Sequence, residues 1–175
     1  VKFPDTGIQP RSALGFSLLA LMKVMGLEQE LTQLRALSDT LDAERVESFG
    51  KELADTVRGY IPIIYSSSRN KSVAYNWKIK CNETGKIPAF YNVFPELNHN
   101  EMIGFDITEK TRELSRQFYF IFLRDTEDDP RVQKRMEICQ QLYKQRGIPV
   151  TEVPLKGNSR WERIFNSLLV ADWFS

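Results

Sequence analysis

The chain has 175 residues, 42% of them apolar, which is enough to fill one core and excludes a disordered segment. Lysine and arginine number 24 against 23 aspartates and glutamates, a near balance that excludes a surface dominated by nucleic-acid-binding charge but leaves room for a local basic pocket. The two cysteines, Cys81 and Cys139, stand alone with no Cys-x-x-Cys spacing, which excludes a disulfide scaffold and leaves a zinc site short of ligands; a reducing cytoplasm is the simplest compartment.

The first apolar run, ALGFSLLALMKVMGL, is broken by Gly15, Ser17 and Lys23, too short and interrupted to span a membrane. It predicts a helix over 10–26, opened by Pro10 and closed by Gly26. Its apolar content on nearly all sides predicts burial. Before it, VKFPDTGIQPR has neither an initiator Met nor a signal-peptide pattern. The chain stops at LLVADWFS, inside an amphipathic helix, as expected of a piece of a longer polypeptide. A second helical segment covers 28–37. A third covers 40–58, where Leu41, Val46, Phe49, Leu53 and Val57 recur at helical spacing before Gly59.

YIPIIYS then predicts a strand over 60–66, followed by the polar turn SSSRN. Over 72–85, Val73, Tyr75, Trp77, Ile79 and Cys81 fit a period of two as well as a helix. The start signal Asn70-Lys71-Ser72 and the stop at Gly85 favour the helix. IPAFYNVF predicts a strand over 87–94, and QFYFIFL a strand over 117–123. Asp129-Pro130 reads as an N-cap and first helical residue, opening a helix that runs to Gly147. PVTEVPL supplies the last strand, over 149–155, and SRWERIFNSLLVADWF the last helix, over 159–174. The predicted order is helices, then strand and helix in strict alternation, including a helix between the second and third strands. It implies an α/β fold: a single domain over 1–175, built as a three-layer α-β-α sandwich around a mostly parallel, flavodoxin-like sheet. Ligands of such sheets sit beyond the carboxyl ends of the strands. The loops to watch are therefore SSSRN, VFPELNHNE, RDTEDDP and PLKGNSR.

No glycine-rich dinucleotide loop, Walker-type loop or Gly-x-Ser-x-Gly is present. Ser67, Ser68 and Arg69 could hold an anion with backbone N–H groups, or form an ordinary polar turn. The only histidine, His99, lies in ELNHNE between Glu96 and Glu101. Without a second histidine at helical spacing this is a weak metal signal. His99 is either a solvated loop residue or a positioned imidazole that exchanges protons near neutrality. Glu83 falls in the last turn of its helix, where the negative dipole end favours a protonated carboxyl; it is a base, or a surface glutamate beside Lys80 and Lys86. Arg11 is a permanent cation at a helix start, where the dipole gives it no reward. It faces an anion or partner, or is merely exposed.

Three stretches together resemble one family: QPRSALGF at 9–16, SVAYNWKIKCNETGKIPAFYNVFPELNHNE at 72–101, and SLLVADWFS at the end. They are similar to the bifunctional phosphoglucose/phosphomannose isomerases of the sugar isomerase (SIS) superfamily, and most of the chain resembles their second, C-terminal SIS domain. The resemblance implies a hexose 6-phosphate substrate and no cofactor, metal, nucleic acid or membrane. Glu83 would move a proton between C1 and C2, His99 would assist ring opening, and Arg11 would stabilise the cis-enediolate. Ser67, Ser68, Arg69 and Asn82 are the substrate-binding candidates. The family's histidine reaches the neighbouring subunit of a homodimer, so Glu83 and His99 would serve two different sites. The family's Ser/Thr-rich phosphate loop lies in an N-terminal SIS domain, and a lysine near its C-terminus joins the ring-opening chemistry; neither has a counterpart here, so this piece alone is expected to be inactive. A non-catalytic sugar-phosphate sensor and a structural dimerisation domain are the other readings. A sensor needs no base, so the set Arg11, Glu83 and His99 favours the enzyme.

Overall fold

The computed structural model describes residues 7–9 and 12–175. Pro10 and Arg11, the expected start of the first helix, lie outside the described residues. The first helix, α1, runs Leu14–Val24, and α2 (Glu28–Arg35) and α3 (Leu37–Thr40) follow. Helix α4 (Ala43–Val57) is capped by Asp42, whose carboxylate accepts from the Arg45 N–H. Then come β1 (Ile61–Ser67), α5 (Lys71–Glu83), β2 (Phe90–Phe94), the single turns α6 (Glu101–Gly104) and α7 (Arg112–Ser115), β3 (Phe118–Arg124), α8 (Pro130–Gln145), β4 (Val150–Pro154) and α9 (Arg160–Phe174).

The strands form one sheet in the order β2-β1-β3-β4, every neighbour parallel. The period of two along β3 divides its side chains between two cores. Tyr119, Ile121 and Leu123 join α4, α5 and α9 on one face. Phe120 and Phe122 join Met136, Cys139 and Tyr143 of α8 on the other. Burial on both faces is what parallel strands require. The ambiguous stretch at 72–85 is helical because Val73, Trp77 and Cys81, four apart, share the buried face, while Tyr75 is 46% exposed.

Three expectations need correction. No regular helix links β2 to β3; only short turns cover that distance. Asn98, Asn100 and Gly104 interrupt the helical pattern, and Leu97, Met102, Phe105 and Ile107 cover the second core irregularly. Helix α1 is not buried all round: Met22 alone is buried, and Val24 is 74% exposed. It packs by one side, in a satellite cluster with Leu31, Leu34, Trp161 and Phe165. Strand β2 begins at Phe90 rather than 87, because Pro88 can donate no ladder hydrogen bond. Among the described residues, no helix is long and apolar enough to cross a membrane.

Candidate active site

Strand order reverses between β1 and β3, so the topological switch point lies where the Ser68–Asn70 turn and the loop 125–129 meet. A ligand is expected in that crevice. Instead it holds a closed polar network. Asp125 is fully buried at its centre, with Arg160 at 3.0 Å, Arg163 at 3.4 Å and Arg69 at 3.9 Å. The Asn70 amide donates to Asp125 and Asp128. Ser67 donates to Asp128 at 2.7 Å, and Ser68 donates to the Phe94 carbonyl at 2.9 Å. Arg69 donates to the carbonyl and the carboxylate of Glu127. Burial pushes the Asp128 carboxyl above its usual range, against the Ser67 hydrogen bond. The hydrogen bond from Arg69 pulls Glu127 below its own. The Ser67 and Ser68 hydroxyls are thus committed internally, and Arg69 keeps an exposed flank.

Glu83 and His99 stand at opposite edges of the sheet. Helix α5 starts at the carboxyl edge beside β1 and runs back, so Glu83, its last residue, reaches the amino edge. Strand β2 then returns to the carboxyl edge, where His99 follows the Glu96–Asn98 turn. Strand β2 alone spans about 17 Å at ~3.3 Å per residue.

Glu83 is exposed. Lys80, which the sequence put beside it, is buried and ion-paired with Asp172 on α9. No described residue forms an ion pair with Glu83. Asn82 donates to the Ile87 carbonyl at 2.9 Å and pins the turn after the helix. A Cβ on Gly85 would lie 3.3 Å from the backbone of Ser175, so the end of α9 rests against that same turn.

His99 is exposed, and its backbone N–H donates to the Glu96 carbonyl at 2.9 Å. The loop beneath it is rigidly held. Leu97 is fully buried. Glu101 accepts from the Tyr65 hydroxyl at 2.6 Å and from the Asn92 amide at 2.5 Å. Both Glu101 oxygens are thereby engaged, which makes this residue an anchor. Among the described residues, no group of three or more His, Cys, Asp or Glu side chains is arranged to hold a metal. Sequence reasoning missed Asp125, Asp128, Arg160 and Arg163. The loops of Asp125, Asp128 and Arg160 were marked and Arg163 fell in the predicted last helix, but nothing local reveals pairing across 35 residues or more.

A four-stranded parallel sheet in this order, covered by helices on both faces, is a SIS-type α/β architecture. It is similar to a glucose-6-phosphate isomerase like protein from Thermus thermophilus, with a TM-score of 0.57, 16% identity, and coverage of 71% of this chain and 40% of that one. Residues 47–175 match the family described as the bacterial phospho-glucose isomerase C-terminal SIS domain, and the chain belongs to that family. The bifunctional phosphoglucose/phosphomannose isomerase of Aquifex aeolicus is 32% identical over 171 residues, covering 97% of this chain and 52% of that protein. The protein of the same description from Caldicellulosiruptor bescii is 34% identical over 184 residues, covering 97% and 53%. The chain spans about half the length of the curated relatives it matches.

Proposed function

We propose that this chain is the second SIS domain of an aldose–ketose isomerase that interconverts glucose 6-phosphate and mannose 6-phosphate with fructose 6-phosphate. The observation that carries the reading is Glu83: an exposed carboxylate, without an ion-pair partner among the described residues, in a chain of this family. In the open-chain aldose, Glu83 takes the proton from C2. The C–H electrons form the C1–C2 double bond, and the C1 carbonyl electrons move onto oxygen, giving the cis-enediolate. Transfer of the O2 hydroxyl proton to O1, with return of the carbon proton to C1, leaves the carbonyl at C2 and gives the ketose. A carboxylate suits proton abstraction beside a carbonyl. Arg11, charged at any working pH, stabilises the enediolate. His99 exchanges a proton with the ring oxygen during opening.

The opposite placement of Glu83 and His99 supports a homodimer in which the His99 of one subunit serves the Glu83 of the other. The packing of Ser175 beside Gly85 supports a C-terminal lysine of the family acting next to Glu83. Of the substrate-binding candidates, Arg69 has a flank that an anion can reach; Ser67, Ser68 and Asn82 act by fixing the loops around the substrate. The isolated domain lacks a Ser/Thr-rich phosphate loop and is inactive. A cytoplasmic site of action accords with its two free thiols.

The test is conversion of fructose 6-phosphate to glucose 6-phosphate by the protein carrying both SIS domains. Wild type turns over, and Glu83→Gln loses about 10²–10⁴-fold in kcat. A wild type inactive on both hexose phosphates, or a Glu83→Gln variant with near-normal turnover, overturns the reading.

A further inference from the structure

Two residues beyond His99, the Glu101 carboxylate is held by the sheet itself. Strands β1 and β2 run side by side, and their register sets Tyr65 directly opposite Asn92. Register partners on adjacent strands project from the same face, about 4.8 Å apart. The Tyr65 hydroxyl donates to one Glu101 oxygen at 2.6 Å, and the Asn92 amide donates to the other at 2.5 Å. Asn92 uses its own oxygen to accept from the Val93 N–H at 2.8 Å, which turns its nitrogen toward Glu101. Tyr65 is fully buried, and its hydroxyl lies 3.4 Å from that of Tyr143 on α8. Burial above all, then Tyr143 and Glu101, raises the Tyr65 phenol well above its usual range, so it remains a donor at any working pH.

Both donors are neutral. A carboxylate drawn onto them forfeits hydration that a leucine in the same place would not need. What the arrangement adds is direction, because a carboxylate gripped at both oxygens has one orientation. His99 sits between this grip and a second one: Leu97, two residues before it, is fully buried in the core beneath. Glu96, the other acid of ELNHNE, is exposed. The His99 imidazole is also exposed and hydrogen-bonds to no described residue, so its place is set by the backbone that carries it.

We infer that Glu101, seated on Tyr65 and Asn92, is a positioning residue for His99, fixing the loop so that the imidazole meets the sugar ring oxygen at one place and angle. The inference rests on the isomerase reading of His99. An imidazole delivered to another subunit must be oriented by its own chain, and the paired donors of β1 and β2 do this.

The test is a double-mutant cycle in the protein carrying both SIS domains, read as kcat and KM for conversion of fructose 6-phosphate to glucose 6-phosphate. Glu101→Gln turns an amide against one of the two donors, and Tyr65→Phe deletes one donor while keeping the ring. Each should lower kcat about 10–100-fold, as expected when a reacting group is misplaced by about an ångström, with KM nearly unchanged. In the His99→Ala background neither should lower kcat further. In the isotopically labelled chain, both variants should lower the backbone order parameters at 98–100 and leave those of β3 unchanged. A His99→Ala variant as active as wild type overturns the isomerase reading of His99, and this inference with it. An impaired His99→Ala beside a Glu101→Gln of normal kcat overturns this inference alone. So does an equal further loss in the His99→Ala background, which marks a residue that serves only the fold.

Discussion

At the scale of single residues, the structure turns on buried charge. Asp125 is fully buried and meets Arg160 and Arg163, both ordered by it. Removing one partner of a buried ion pair strands the others, at a cost of about 3–5 kcal/mol. Asp125→Asn should therefore lose about that much in chemical denaturation, far more than Asp55→Asn, whose pair with Arg58 is exposed. Asp128 carries a pH signature of the opposite kind to the usual carboxylate. Its folded value is raised, first by burial. The folded state favours the protonated form, so the stabilisation is present at low pH and is lost as pH rises through the folded value. Wild type should lose ground to Asp128→Asn in unfolding free energy as the pH rises above about 4, the ordinary range of an aspartate. Cys81 and Cys139 are both buried, with thiols pushed up by burial to about 12 and about 11. Reactivity belongs to the thiolate. Iodoacetamide near neutral pH should label neither residue in the native protein and both in denaturant.

At the scale of elements, helices are fixed by caps and by close approach. Ser159 accepts from the Glu162 N–H at 3.1 Å at the start of α9, and Ser159→Ala should cost about 1 kcal/mol. Gly50 shows a stronger constraint. A Cβ there would lie 2.5 Å from the Trp173 Cβ and 2.9 Å from the Val170 carbonyl oxygen. Glycine to alanine inside a helix ordinarily stabilises by up to about 1 kcal/mol, but here it must push α4 from α9. Gly50→Ala should lower the melting temperature, with a net loss of about 1–3 kcal/mol. Legibility at this scale followed local signals. Asp129-Pro130 announced α8 because capping chemistry is contained in neighbouring residues. The regular helix expected between the second and third strands is absent, because the apolar residues there answer to the sheet beneath them and not to a helical period. Gly50 was silent, since its reason lies on a helix more than a hundred residues away.

At the scale of the molecule, the alternation of short apolar strands with helices made the parallel sandwich readable. The same topology places Glu83 and His99 apart. Sixteen residues in sequence become opposite edges of a sheet, because one helix ends and one strand runs between them. The family resemblance was legible, whereas the polar network at the switch point was not, being built from pairs such as Asn70 with Arg160, far apart in the chain. The central claim is a shared site, and it is tested by mixing two variants of the protein carrying both SIS domains, Glu83→Gln and His99→Ala. Each alone should be nearly inactive in converting fructose 6-phosphate to glucose 6-phosphate. Unfolded and refolded together, they should form hybrid dimers with one intact site, recovering about a quarter of wild-type activity. A mixture as inactive as its components would contradict the account.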